Sequence, residues 1–269
     1  MDKTPESTTM KIAVLITGQL RDYKINYNNH LKHLIEPNNA DVFVYACSTN
    51  TLHSCGDSLT QKYYTTNTYT NDEILSNVKK IYGNYLKNVE INSQEILPDD
   101  NFGTVGYFRT RMQNQIDNIG HGFSMALDYH SSYDIIVRCR PDNSMFPYLI
   151  KLESLNYPDD TIYSTIFKPS GHRDLCFFAM SNPDTFKKYC SFKYLENVDP
   201  SNTNNDIARS TEHMWEDYLR SIGVSTKYID NICMPFSGFD KTKSITDFPY
   251  RNKDELLIDF QGNFVPQVI

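Results

Sequence analysis

The chain has 269 residues, 39% of them hydrophobic and 22% charged, with a formal net charge of -7; that is ample apolar material for a buried core and excludes disorder as the default state. A net acidic chain lacks the basic face on which nucleic-acid binders depend for phosphate contacts, so that class is excluded save for a local basic cleft. No stretch approaches the roughly 20 apolar residues of a membrane helix, the longest runs being short ones such as IAVLI, DIIV and CFFAM.

The start, MDKTPESTT, is polar and carries no apolar signal region, so residues 1–10 read as a loose tail and 11–269 as one domain. Six cysteines, Cys47, Cys55, Cys139, Cys176, Cys190 and Cys233, form no C-x-x-C pair. Reduced cysteines in a cytoplasmic protein are the simpler expectation. Nineteen Tyr and fifteen Phe stand against a single Trp, so core and pocket walls are built from rings, many with a polar tip.

From Lys11 onward, short β-branched runs alternate with longer stretches of helical period, the pattern of an α/β domain with a mainly parallel sheet. Lys11–Thr17 reads as a buried strand, Asp22–Ile35 as a helix ending before Pro37, and Asp41–Cys47 as a second buried strand, together one βαβ unit. Residues 48–70 are polar and rich in Thr and Tyr, and read as a long excursion or lid. A helix opens at Asn71-Asp72-Glu73, with Ile74, Val78, Ile81 and Leu86 as its apolar stripe. A strand at Asn88–Asn92 follows. Phe108–His130 has helical spacing interrupted by Gly120 and Gly122, and leads into a central strand, Tyr133–Cys139. Later come strands at Thr161–Ile166 and Leu175–Met180, a helix at Pro183–Tyr194 with Pro at its first position, and another at Thr211–Ile222.

The chemistry concentrates in YDIIVRCRPDN, where Arg138, Arg140 and Asp142 are spaced by two and share a face while the chain stays extended. Guanidiniums beside a core-quality strand are costly to desolvate unless anions meet them, and strand ends in open α/β sheets are where ligands bind. A diphosphate is one such anion; structural carboxylates are the alternative. Asp142 is a metal ligand or a turn former before Asn143. The first strand exits into Gly18-Gln19-Leu20-Arg21, where Gly permits close backbone approach and the following helix start offers free amides; a lone Gly there also marks a simple tight turn. No G-x-G-x-x-G, P-loop, H-E-x-x-H or G-x-S-x-G pattern is present, which argues against dinucleotide, P-loop, zinc-hydrolase and serine-hydrolase chemistry. Arg111 and Gln115, four apart on one helix, share a face that either reaches a phosphate or sugar hydroxyl or is simply solvated, with Arg109 and Gln113 on a neighbouring one. Asp174, in His172-Arg173-Asp174, stands at a strand mouth. Glu212 opens TEHMWEDYL, where an acid gains from the helix dipole whatever its function.

In order, KIAVLITGQLRDY, DVFVYACS, YDIIVRCRPDN, DLCFFAMSNPDTF and TEHMWEDYL resemble the successive blocks of a glycosyltransferase family related to WavE-type lipopolysaccharide and capsule synthesis proteins, with relatives in large DNA viruses. The resemblance spans roughly residues 11 to 225, and its G-Q-x-R and R-x-R-P-D blocks are the specific parts. It implies a GT-A-like, Rossmann-related fold, a UDP- or GDP-sugar donor, a glycan or glycoprotein acceptor, and a divalent metal such as Mn²⁺ or Mg²⁺; for a viral chain the compartment would be the host cytoplasm. It puts Gly18, Gln19 and Arg21 near the nucleotide, Arg138, Arg140 and Asp142 at the diphosphate and metal, and Asp174 and Glu212 on the acceptor side as candidate catalytic carboxylates. GT-A enzymes generally hold their metal with Asp-x-Asp, whereas here the place reads Arg140-Pro141-Asp142. A non-catalytic nucleotide- or carbohydrate-binding protein on the same fold is the alternative.

Overall fold

The structure, a computed structural model, describes residues 10–20, 23–47, 70–92, 105–141, 143–145, 152, 157–167, 172–193, 207–230, 233–235, 257–258 and 264–265. Strands β1 (Ile12–Gln19), β2 (Asp41–Cys47), β3 (Leu86–Asn92), β4 (Ile135–Cys139), β6 (Thr161–Phe167), β7 (His172–Ser181) and β8 (Ser225–Asp230) make one sheet in the order β3-β2-β1-β4-β7-β6-β8. Short β5 (Asn143–Met145) pairs with β9 (Cys233–Pro235), and β10 (Leu257–Ile258) with β11 (Phe264–Val265). The sheet is mainly parallel, as the alternation of elements predicts, except that β7 runs antiparallel between β4 and β6.

Both faces of the sheet are covered, and strand alternation decides what each face carries. On one side Ile12, Val14, Ile16, Val42, Val44 and Val137 pack under α2 (Asn71–Tyr82) and the turns after α1 (Tyr23–His30). On the other, Ala13, Leu15, Phe43, Tyr45 and Ile136 pack under α3 (Val105–Tyr129), α4 (Pro183–Cys190) and α5 (Ile207–Ser221). The sole tryptophan, Trp215, is fully buried there, stacked on Tyr189 with ring centroids 4.4 Å apart and donating its indole N–H to the Tyr189 carbonyl.

Several boundaries differ from those expected, each for a local reason. The first helix relaxes after His30 into a π turn, Leu31–Ile35, then a 3₁₀ turn, Glu36–Asn38, whose start takes Pro37 because that position needs no amide donor. The second helix is capped one residue earlier than its Asn-Asp-Glu opening suggests. Thr70 accepts from the Glu73 amide while the Glu73 carboxylate accepts from the Thr70 amide, a reciprocal capping box. α3 is continuous through Gly120 and Gly122; a methyl group on Gly122 would stand 2.7 Å from Thr17 Cγ2, so this glycine serves close packing on β1 and does not break the helix. α4 stops at Cys190, and β8 has too few apolar residues to be seen as a strand by period alone. Of the excursion expected at 48–70, residues 48–69 lie outside the described residues, and Thr70 caps α2. Among those residues, no helix is long and apolar enough to cross a membrane.

Candidate functional site

The strand order reverses between β1 and β4: the chain steps outward from β1 to β2 to β3, then returns to the other side of β1. In open α/β sheets the crevice beyond the carboxyl ends of the strands at such a reversal is the ligand-binding place. Here that place is bounded by Gly18-Gln19, ending β1, and Arg140-Pro141, following β4. Gly18 has φ +122°, which favours glycine, and a Cβ at this position would lie 3.9 Å from Pro141 Cδ. The two exits are therefore neighbours.

Beneath them, Arg138 is fully buried, its Cα opposite Leu15 on β1 and Ala179 on β7. Its Nε donates to Thr17 Oγ1 at 3.2 Å. Thr17 is itself fully buried and paired with Tyr45 of β2. The charge of Arg138 is felt nearby: burial pushes the Cys190 thiol well above its ordinary range, and the Arg138 guanidinium pulls the other way. Arg140 is half-buried, nearer the sheet edge than Arg138. The two arginines thus differ in depth, which their spacing of two did not reveal.

β7 is antiparallel to β4, with Arg138 opposite Ala179, and its pairing with β6 steps from Ser164–Ala179 directly to Thr165–Asp174, so Asp174 lies one β6 residue beyond the level of Arg138, toward the carboxyl end of β4. Its backbone pairs with Thr165 of β6. α3 runs back toward the start of β4, so its N-terminal half points to the same edge. Gln115, half-buried, is seven residues before Gly122 and stands about 10 Å further toward that edge. Gln113 donates to Asp117 at 2.9 Å. α5 leads through Ile222–Val224 into β8, placing its first turns, with Glu212, toward the carboxyl edge as well. Arg21 and Asp142 lie outside the described residues, and Gln19, Arg111, Asp174 and Glu212 are described as backbone positions only.

The edge therefore gathers Gly18, Gln19, Arg138, Arg140 and Asp174 on neighbouring strands, with Gln115 and the start of α5 overhead. Sequence reasoning overlooked Thr17 and Pro141. The signal for Thr17 was a polar residue closing an apolar strand directly before Gly18. Among the described residues no three His, Cys, Asp or Glu side chains are grouped to hold a metal ion. The described charged side chains at the β4 exit, Arg138 and Arg140, are guanidiniums, a poor donor set for a cation.

No family model matches this sequence, and no curated protein matches it. Among solved structures, the fold is similar to the galactosyltransferase LgtC in complex with donor and acceptor sugar analogues, at 8% identity over 80% of this chain and 72% of that one, TM-score 0.40. It is also similar to a glycosyltransferase involved in glycosylation of the major capsid of PBCV-1, at 13% identity over 82% of each chain, TM-score 0.37. A third is a Drosophila β-1,4-galactosyltransferase 7 mutant in complex with manganese, UDP-Gal and xylobiose, at 12% identity over 88% of this chain and 72% of that one, TM-score 0.41.

Proposed function

We propose that the chain is a GT-A-like glycosyltransferase, related to the WavE-type group, that moves a hexosyl or pentosyl unit from a UDP- or GDP-sugar to a hydroxyl of a glycan or glycoprotein. The observation that carries this reading is the meeting of Gly18 and Pro141 at the strand-order reversal, which puts the β1 exit and the arginine-bearing β4 exit beside one crevice. A nucleoside diphosphate suits such a crevice: glycine lets backbone approach the ligand, and arginine meets phosphate oxygens with a planar fork of donors.

In this reading Gly18, Gln19 and Arg21 face the nucleotide, with Arg111 and Gln115 reaching in from α3. Arg140 meets the diphosphate directly, while Arg138, held by Thr17, supplies fixed positive charge behind it. As the bond from the sugar's anomeric carbon to the diphosphate oxygen breaks, negative charge grows on the leaving group, and preorganised cations stabilise it. The acceptor oxygen forms the new bond, and its proton passes to a carboxylate, Asp174 or Glu212, in an inverting reaction. Asp142 stands on the sugar or on a divalent ion.

Calorimetric titration with UDP, GDP and their sugar nucleotides, each with and without Mn²⁺, tests the reading. Saturable binding of one of them, with sugar released to an acceptor, supports it. Binding without turnover would make the chain a nucleotide-binding module, and no binding by folded protein would sink the reading altogether.

A further inference from the structure

His30 ends α1 and is fully buried, Tyr82 ends α2 at 3% exposure, and Cys139 ends β4, also fully buried. They meet in a layer whose other members are chiefly aliphatic, among them Ile16, Leu34, Val44, Val78 and Val137. A polar side chain is costly in such a layer unless its hydrogen-bonding capacity is used. The Tyr82 hydroxyl lies 3.5 Å from His30 Nδ1, His30 Nε2 lies 3.7 Å from Cys139 Sγ, and the Cys139 thiol donates to the Arg140 carbonyl at 3.5 Å.

With the buried imidazole neutral, these three contacts have one consistent order. A thiol carries a single proton. Given to the Arg140 carbonyl, it leaves Sγ as an acceptor, so the imidazole donates from Nε2. Nδ1 is then the acceptor for the Tyr82 O–H. Donation runs in one direction, from α2 through α1 to the carbonyl that precedes Pro141. Proline has no amide of its own, so this carbonyl is the available backbone handle on the Arg140–Pro141 link. On its other side the same link abuts Gly18.

We propose that Tyr82, His30 and Cys139 form a positioning relay that fixes the Arg140–Pro141 turn and thereby preorganises Arg140 for a phosphate-bearing ligand. The ligand part rests on the nucleotide-sugar reading above; the hydrogen-bond order does not.

Two measurements on the full chain test it. The first is calorimetry with UDP and GDP on the wild type, Cys139→Ala, Cys139→Ser, Tyr82→Phe, Arg140→Ala and the Cys139→Ala/Arg140→Ala double variant. Cys139→Ala should weaken binding roughly threefold to tenfold, as expected for one lost positioning hydrogen bond, and Cys139→Ser, which keeps a donor, should restore most of it. With Arg140 already replaced, the cysteine substitution should change affinity no further. An equal loss with and without Arg140 would mean that the relay acts on the fold at large, and would overturn the proposal. The second is the ¹⁵N spectrum of the His30 ring, which needs no ligand. Protonation at Nε2, perturbed by Tyr82→Phe, which deletes only a hydroxyl, supports the relay; protonation at Nδ1 overturns it. If the folded wild type binds no nucleotide, the functional reading fails by itself and the ring spectrum still decides the relay.

Discussion

Thr17 is held between two neighbours: its Oγ1 accepts from Arg138 Nε at 3.2 Å, and its Cγ2 is where a methyl group on Gly122 would collide, at 2.7 Å. Its rotamer is thus constrained by a hydrogen bond on one side and a helix on the other. Gly122→Ala should destabilise the protein by about 1–3 kcal/mol through overpacking, despite the better helix propensity of Ala. Thr17→Ser, which deletes Cγ2 and keeps the hydroxyl, should recover much of that loss in the double variant. Urea unfolding followed by the fluorescence of buried Trp215 reads both; independent, additive effects would show that the contact is not what limits the site.

The two arginines should separate in experiment because they differ in depth. Arg138→Ala removes a fully buried side chain and should cost about 3 kcal/mol or more in stability. Arg140→Ala should leave the unfolding midpoint near that of the wild type and weaken nucleoside diphosphate binding by roughly tenfold or more, the scale of a lost charge-assisted hydrogen bond. Unfolding in Arg140→Ala would reassign that arginine to a structural ion pair.

The capping box at α2 is a local element with a local price. Thr70→Ala removes the acceptor for the Glu73 amide and should lower stability by about 1 kcal/mol, with no change in nucleotide affinity, since the cap stands at the opposite end of α2 from Tyr82, about 18 Å along the helix. A shift in affinity as large as that of Arg140→Ala would contradict this separation.

His33 carries a pH dependence whose sign follows from its environment. Burial, with Lys32 adding to it, holds the ring below its ordinary value of 6.5. As pH falls through 6.5 the unfolded chain takes up the proton first, so the stability that His33 contributes is present above 6.5 and is lost below it. The difference in urea midpoint measured about one unit above and one unit below that value should shrink in His33→Leu. An unchanged difference would assign the slope to other groups.

Much of this was legible from local pattern. Short β-branched runs such as IAVLI and DVFVYA read as buried strands, and the period of residues 108–130 as a helix, because side-chain alternation and helical repeat follow from backbone geometry. The two arginines at the end of β4 were visible for the same reason: charge at the end of an apolar strand is conspicuous. The polarity of β7 was not visible, since LCFFAM reads identically in either direction. Nor was the role of Gly122, which looked like a helix interruption because a sequence does not say which residue faces it. The meeting of His30 with Cys139 and with Tyr82 was invisible, since those pairs are 109 and 52 residues apart along the chain.

By itself, then, the sequence determined the α/β class and the existence of most strands and helices, which depend on interactions within a few residues. Tertiary structure alone decided the order β3-β2-β1-β4-β7-β6-β8, the meeting of Gly18 with Pro141, and the burial of Arg138 beneath Thr17 while Arg140 stayed near the edge. Those are outcomes of pairing between distant segments, where hydrogen-bond register and side-chain packing choose among arrangements that share the same local pattern.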